Sequence, residues 1–309
     1  MNATSSASAA IAARPRGSRF NSRSFARMLT AVTPSVYVVL VLIGPIVLIG
    51  LYSFGLLSNI VGVHGAFSTV DWKDFLTGPA NPFRSLFFKS MAITLIVSCA
   101  AVIGAYPLAY FLAFVAGRHR YTILLAILAP FFTSYLLRVI AWQVILSNNG
   151  VINSALWQLG LQTHGHAITW LIYSKFSVGL VLFYAWVPFV MLPIFVVLDN
   201  LDRRMIDAAH DLGAGRFGTF MRVTFPMSVP GVAAGFVFVL IPTTGEFIAP
   251  LLVGGPSSQM FGNSIQAFFS DTPDWNYGSV LALALVVVVL ILLAVFGRFV
   301  SADLAQEAG

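Results

Sequence analysis

Two charged side chains stand inside apolar stretches, where a charge is costly. Glu246 lies in PTTGEFIAPLLVGG, residues 242–255, and Arg138 lies in the apolar run 122–147. An ionisable group in hydrocarbon costs at least about 2.5 kcal/mol on insertion scales, so each side chain must face protein or water. Two interpretations stay open. Glu246 either pairs with Arg138 in a structural salt bridge, or it lines a pathway and helps to neutralise an organic cation.

The residues around Glu246 favour a site beside a pathway. Pro242, Gly245 and Pro250 flank the carboxylate and leave backbone groups without helical partners, a break that membrane helices tolerate next to a cavity. Aromatic faces attract ammonium groups. The aromatic candidates for lining such a pathway, which have ordinary packing as their alternative role, are Tyr135, Trp142, Tyr184 and Trp186.

Motifs for catalysis, metals and nucleotides do not occur in the sequence. It contains no HExxH, GxSxG or GxxxxGK[ST] run. Gly213, Gly215 and Gly218 spell GxGxxG, but they follow a predicted helix and not the strand that a dinucleotide site needs. We therefore predict no catalytic, cofactor or metal site in this chain. The basic residues are scattered through short loops and one tail, which indicates membrane topology and not nucleic-acid binding.

The composition requires a membrane setting for these charges. Hydrophobic residues make up 58% of the 309 positions and charged residues only 9%, against about a quarter in soluble domains. Runs of roughly 20 apolar residues are long enough to cross a bilayer. The sequence therefore predicts an all-α membrane protein with six transmembrane helices, at about 32–57, 88–116, 122–147, 176–198, 229–253 and 278–300.

The lysines and arginines predict the orientation of these helices. Twelve of the 17 lie in segments that six spans would place on one side, and basic loops stay in the cytoplasm. Both termini are thus expected inside. The predicted organisation is a disordered cytoplasmic tail at 1–28, a membrane domain at 29–300 and a short tail at 301–309, with an inside loop at 199–228 and short helices in the outer loops.

The inside loop has the pattern of a compact docking element. Asn200 or Asp202 can cap a helix over 203–212, and Gly213 follows where a left-handed residue ends a helix. A second short helix is predicted to run until Pro226. We call residues 203–226 the knob. Beyond it, Gly231 and Gly235 form GxxxG, which predicts close helix packing, with a gating pivot as the alternative.

The knob resembles the EAA loop of permease subunits in bacterial binding-protein-dependent ABC importers. The resemblance rests on DAAHDLGAGRFGTFMRVTFP, residues 207–226, which departs from the usual wording at Asp207, Val223 and Phe225. It implies a type I permease fold and a short helix that sits in a groove of a cytosolic ATPase and carries its motion to the spans. The residues expected to couple to the ATPase are Asp207, Ala208, Ala209, Gly213 and Pro226.

The resemblance extends to two further stretches. Residues 130–153 and 242–255 are similar to permeases of spermidine/putrescine importers, the first of the two permeases in particular. This implies an inner-membrane protein that imports a small cation of the polyamine type, such as spermidine or putrescine. It also implies a second permease, an ATPase dimer that binds ATP and Mg, and a periplasmic or lipid-anchored solute-binding protein. A permease for another solute, or a secondary transporter or channel, is the alternative, although a carrier would not explain the knob.

Overall fold

The computed structural model describes residues 22–58, 65–79, 81–161, 167–272 and 274–307, with side chains placed only between 36 and 298. Two compact units make up the chain, residues 1–48 and residues 49–309. The predicted tail at 1–28 lies outside the described residues as far as residue 21, and the first helix already begins at Ser22.

Helices form all the regular structure of the described residues. Five of them are long and apolar enough to span a membrane, and the number is six when one bent pair of helices is counted as a single span. The α-helices in chain order are α1 (Ser22–Ser53), α2 (Val70–Thr77), α3 (Pro82–Tyr110), α4 (Arg120–Leu128), α5 (Tyr135–Leu146), α6 (Val151–Gln158), α7 (Lys175–Asp199), α8 (Arg203–Asp211), α9 (Arg216–Thr219), α10 (Phe225–Thr244), α11 (Phe261–Ser270) and α12 (Trp275–Glu307).

The third predicted span is not one continuous helix, which corrects the sequence prediction. Its two halves, Gly117–Phe132 and Tyr135–Gln158, meet at an angle of 86°. A 3₁₀ turn at Ala129–Phe132 ends the first half, and the extended backbone of Thr133 begins the reversal. Pro130 cannot donate a helical hydrogen bond, and the helix breaks three residues later, at the small polar pair Thr133 and Ser134.

Helices α3, α7 and α10 pack together at the centre of the larger unit. Small side chains let them approach closely: Ala101, Ala105 and Ala109 of α3 are fully buried. A methyl group added at Gly231 of α10 would lie 2.8 Å from the Pro193 carbonyl oxygen of α7. The GxxxG pattern therefore serves close helix packing, as the sequence predicts.

Short helices fill the connections on the side opposite the knob. α2, α6 and α11 lie within the three predicted outer loops, and each is eight to ten residues long. The last helix differs from the prediction, because α12 continues to Glu307, beyond the expected end of the membrane domain at residue 300.

The knob begins as the sequence predicts. Asp202 caps α8, its side chain accepting from the Arg204 amide at 3.0 Å. Gly213 follows with a φ of +83°, in the left-handed region that suits glycine. The chain then turns into α9.

The end of the knob corrects the prediction, because Pro226 does not terminate a helix. Helical backbone runs without interruption from α9 through a π turn, Phe220–Thr224, into α10. Pro226 lies directly after the π turn, and the helix continues through the proline into α10. The knob is therefore joined rigidly to the fifth span.

Candidate functional site

The fifth span breaks where the sequence places its charge. α10 ends at Thr244, and Gly245 caps it. Backbone oxygens freed by the break have partners: the Thr94 hydroxyl donates to the Thr243 carbonyl at 3.3 Å, and the Asn263 amide donates to the Phe247 carbonyl at 2.8 Å. The neighbouring helices α3 and α11 thus supply hydrogen-bond donors to the backbone oxygens of the broken segment, as a break inside a membrane requires.

Glu246 is bonded on both of its carboxylate oxygens. Its Oε1 accepts from the backbone amides of Ile248 at 2.8 Å and Ala249 at 3.1 Å, and caps the short helical segment that follows. Its Oε2 accepts from the Tyr135 hydroxyl at 3.0 Å. The side chain is only 8% exposed. These three donors satisfy much of the carboxylate that the sequence marks as unusual.

Arg138 does not pair with Glu246. Both residues belong to the described part of the chain, and no ion pair joins them. The Nε and Nη1 atoms of Arg138 are buried without a hydrogen-bond partner among the described residues. Its guanidinium carbon lies 4.8 Å from the centre of the Phe131 ring and 5.8 Å from that of Tyr135. Of the two interpretations that the sequence left open, the direct salt bridge is not formed.

Both charges nevertheless face one space, which we call the charged cavity. Its volume is about 320 Å³. Four of the six predicted pathway residues line it, namely Tyr135, Arg138, Trp186 and Glu246. The other two do not belong to its lining: Trp142 and Tyr184 contact each other edge-to-face, with ring centres 5.3 Å apart. The remaining lining residues are Ala185, Phe189, Pro242, Gly245, Phe247 and Ile248.

Sequence reasoning missed three aromatic contributors. Phe189 and Phe247 line the charged cavity, and Phe131 lies against Arg138. Phe247 follows Glu246 directly, and Phe131 lies in the turn that breaks the third span, so their positions next to the marked features were the available signals. Phe189 has no such signal, since phenylalanine is common along apolar helices.

The knob presents apolar side chains to its surroundings. Leu212 is 89% and Phe217 73% exposed, and Met205 is also exposed. The residues that the sequence assigns to coupling lie on the same element: Asp207, Ala208 and Gly213 are exposed, Ala209 is half-buried, and Pro226 is exposed at the start of α10. Exposed apolar groups of this size on a short helix pair are typical of an interaction surface.

Charged side chains tie the root of the knob to the spans. Arg203 donates through Nη2 to the Ala113 carbonyl at 2.9 Å, and its guanidinium carbon lies 5.5 Å from the Phe114 ring centre. Ala113 and Phe114 belong to a π turn, Phe111–Val115, that follows α3. Nearby, Arg120 forms an ion pair with Asp199 at the end of α7. α8 is thus tied to the π turn at the end of α3.

Comparison with known proteins identifies the family. The family model described as "Binding-protein-dependent transport system inner membrane component" matches residues 91–300. The chain belongs to this family. It is therefore a multi-pass inner-membrane permease and performs no catalysis itself. The match includes the knob, the broken fifth span and the charged cavity.

Individual relatives agree with this assignment along most of the chain. The spermidine/putrescine transport system permease protein PotB of Escherichia coli K12 is 30% identical over 255 residues, which cover 79% of this chain and 92% of PotB. The inner membrane ABC transporter permease protein YdcU of the same strain is 30% identical over 292 residues, covering 87% of this chain and 90% of YdcU.

A solved structure shares the fold. The crystal structure of a bacterial ABC transporter that imports the acidic polysaccharide alginate contains a chain with a TM-score of 0.65 to this one. The two are 15% identical, and the match covers 91% of this chain and 96% of the other. The architecture is therefore the type I permease fold of ABC importers, as the sequence predicts.

Proposed function

We propose that this permease carries a small organic cation of the polyamine type, such as spermidine or putrescine, into the cell. The observation that carries the proposal is the 30% identity to PotB, a permease named for those solutes, across nearly the whole of that protein. The charged cavity supports it, because a carboxylate and several aromatic faces stand next to a break in a span.

Transport is driven from outside the chain. A second permease completes the pathway, and an ATPase dimer that binds ATP and Mg docks on the exposed apolar side chains of the knob. A periplasmic or lipid-anchored binding protein delivers the solute to the opposite side. Both termini lie in the cytoplasm, an orientation that the distribution of basic residues supports. Closure of the ATPases displaces the knob, and the spans then rearrange around the pathway.

Glu246 contributes negative charge to the path without holding the solute tightly. Its carboxylate already accepts three hydrogen bonds, so a passing ammonium group finds attraction but few vacant lone pairs. A site of low affinity is what a permease needs once a binding protein has captured the solute.

Uptake measurements test the proposal. Cells that express the ATPase, the second permease and the binding protein should accumulate labelled putrescine and spermidine when this chain is present, and lose that uptake when it is deleted. The control for assembly is a variant carrying Leu212→Asp and Phe217→Asp, because it lacks the exposed apolar side chains on which the ATPase is proposed to dock. Unchanged polyamine uptake without the chain would contradict the substrate class while leaving the family assignment intact.

A further inference from the structure

Arg138 is the charge in the cavity that import of a pure cation does not use. A guanidinium has five N–H donors and no acceptor. Two of the nitrogens, Nε and Nη1, are buried without a partner among the described residues. The guanidinium lies over the Phe131 ring, and this contact gives the donors no oxygen acceptor. A buried donor without an acceptor is unfavourable, so an oxygen-bearing group is expected there.

Glu246 does not supply that oxygen. Tyr135 and two backbone amides already occupy its oxygens, and no ion pair joins it to Arg138 within the described part of the chain. The two opposite charges instead line the same space separately. A ligand with amino groups alone would satisfy the carboxylate side of this space and would place like charge beside Arg138.

We propose that the charged cavity accepts amines that also carry a carboxylate. The carboxylate of such an amino acid accepts hydrogen bonds from Arg138, while its ammonium group lies near the Glu246 carboxylate and an aromatic face such as that of Trp186. A volume of about 320 Å³ accommodates a short chain of this kind. The inference rests on the proposed function, since it takes the charged cavity to lie on the solute pathway.

A matched pair of solutes tests the inference. Putrescine and 4-aminobutyrate differ in that a carboxylate of the second replaces one aminomethyl end of the first. Both are supplied in labelled form to cells containing the complete importer, and uptake by the wild type is compared with that by Arg138→Gln and Arg138→Lys. Arg118→Gln, which removes an exposed arginine from a loop, is the control for loss of positive charge.

The wild type should take up both solutes. Arg138→Gln should lower the ratio of 4-aminobutyrate to putrescine uptake at least about tenfold, because a charged hydrogen-bonding partner of the carboxylate is lost, and Arg138→Lys should lower it less. Co-purification of the ATPase with each variant establishes that the complex has assembled.

Three results would overturn the inference. They are a wild type that imports putrescine but not 4-aminobutyrate, a ratio that Arg138→Gln leaves unchanged, and an Arg138→Gln chain that loses the second permease during purification, which would mean that a partner carboxylate occupies the guanidinium. Import of 4-aminobutyrate without putrescine would instead contradict the polyamine proposal and support this one.

Discussion

The charged side chains at the root of the knob and those of the charged cavity differ in whether they have partners within the described chain. Near the knob, Arg203 has a carbonyl acceptor and Arg120 has a carboxylate partner. In the charged cavity, Arg138 has buried donors without a partner in the described chain. The comparison indicates that the arginines at the root of the knob are paired within the chain. Arg138 in the charged cavity is instead available to a group from outside the chain.

The largest expected effect comes from the turn of the knob. Gly213→Val should reduce uptake by about tenfold or more, because a left-handed conformation costs an L-residue about 1–2 kcal/mol and a β-branched one more. ATP hydrolysis by the assembled complex should continue without transport. Gly215→Val is the control, since Gly215 has an ordinary φ of −68° and open space around it. Normal uptake in Gly213→Val would contradict the proposal that the left-handed turn at Gly213 is needed to couple the ATPase to the spans.

Two substitutions of Glu246 separate its charge from its hydrogen bonds. Glu246→Gln keeps a carbonyl oxygen for the amides of Ile248 and Ala249, so the complex should assemble, and cation uptake should fall about fivefold through loss of about 1 kcal/mol of attraction. Glu246→Leu leaves those donors unpaired and should also lower the yield of complex.

The outcome for Arg138 sharpens this experiment. If Glu246→Gln fails to assemble and a second change, Arg138→Gln, restores assembly, the two charges compensate each other in spite of their separate contacts. The charges of the cavity would then be balanced within the chain, as those at the root of the knob are. The difference between the two regions would disappear. Yield after purification and uptake per assembled complex are the two measurements.

A smaller effect is expected at the root of the knob. Arg203→Gln removes a charged donor from the Ala113 carbonyl, and uptake per ATP hydrolysed should fall about two- to threefold because α8 is no longer tied to the end of α3. The neighbouring Arg204→Gln is the matched control, since its side chain is exposed and no hydrogen bond joins it to the π turn within the described residues. Equal losses in both variants would mean that general charge, and not this contact, matters.

The smallest effect lies on the side opposite the knob, where like charges gather. Burial, with the carboxylates of Asp274 and Asp74 nearby, raises the pKa of the Asp71 carboxyl. Its ionised form is therefore disfavoured in the folded state, and stability falls as the pH rises through that pKa. Asp71→Asn should raise the melting temperature by about 1 °C at pH 7. The gain should shrink when the pH falls into the ordinary aspartate range, and the exposed Asp271→Asn should show neither effect.

Local sequence patterns predicted the parts of the fold that local chemistry decides. Apolar length located the spans, Asp202 and Gly213 delimited the first helix of the knob, and the residues around Glu246 marked the break in the fifth span. Each of these depends on residues that are neighbours along the chain. No partner from a distant segment was needed to find them.

What the sequence could not predict depends on contacts between distant segments. The Tyr135 hydroxyl donates to Glu246 although 111 positions separate the two residues. Hydropathy does not reveal such a contact, and it marked Arg138 as a candidate partner because of its charge. The break in the third span was missed because apolar length counts Thr133 and Ser134 as a tolerable interruption. Pro226 was read as a helix end, although the π turn before it places the proline in the first turn of the next helix.

Two π turns, one within the knob and one in contact with its root, have a consequence for how related sequences can vary in length. A π turn holds one residue more than an α-helical turn, and the flanking segments keep their rotation about the helix axis. Phe111–Val115 and Phe220–Thr224 are therefore places where the chain can lose a residue without turning α3 or α10 in its packing. Single-residue gaps in homologous permeases are expected to fall at these turns, while deletions within the packed alanine face of α3 would rotate every contact beyond them.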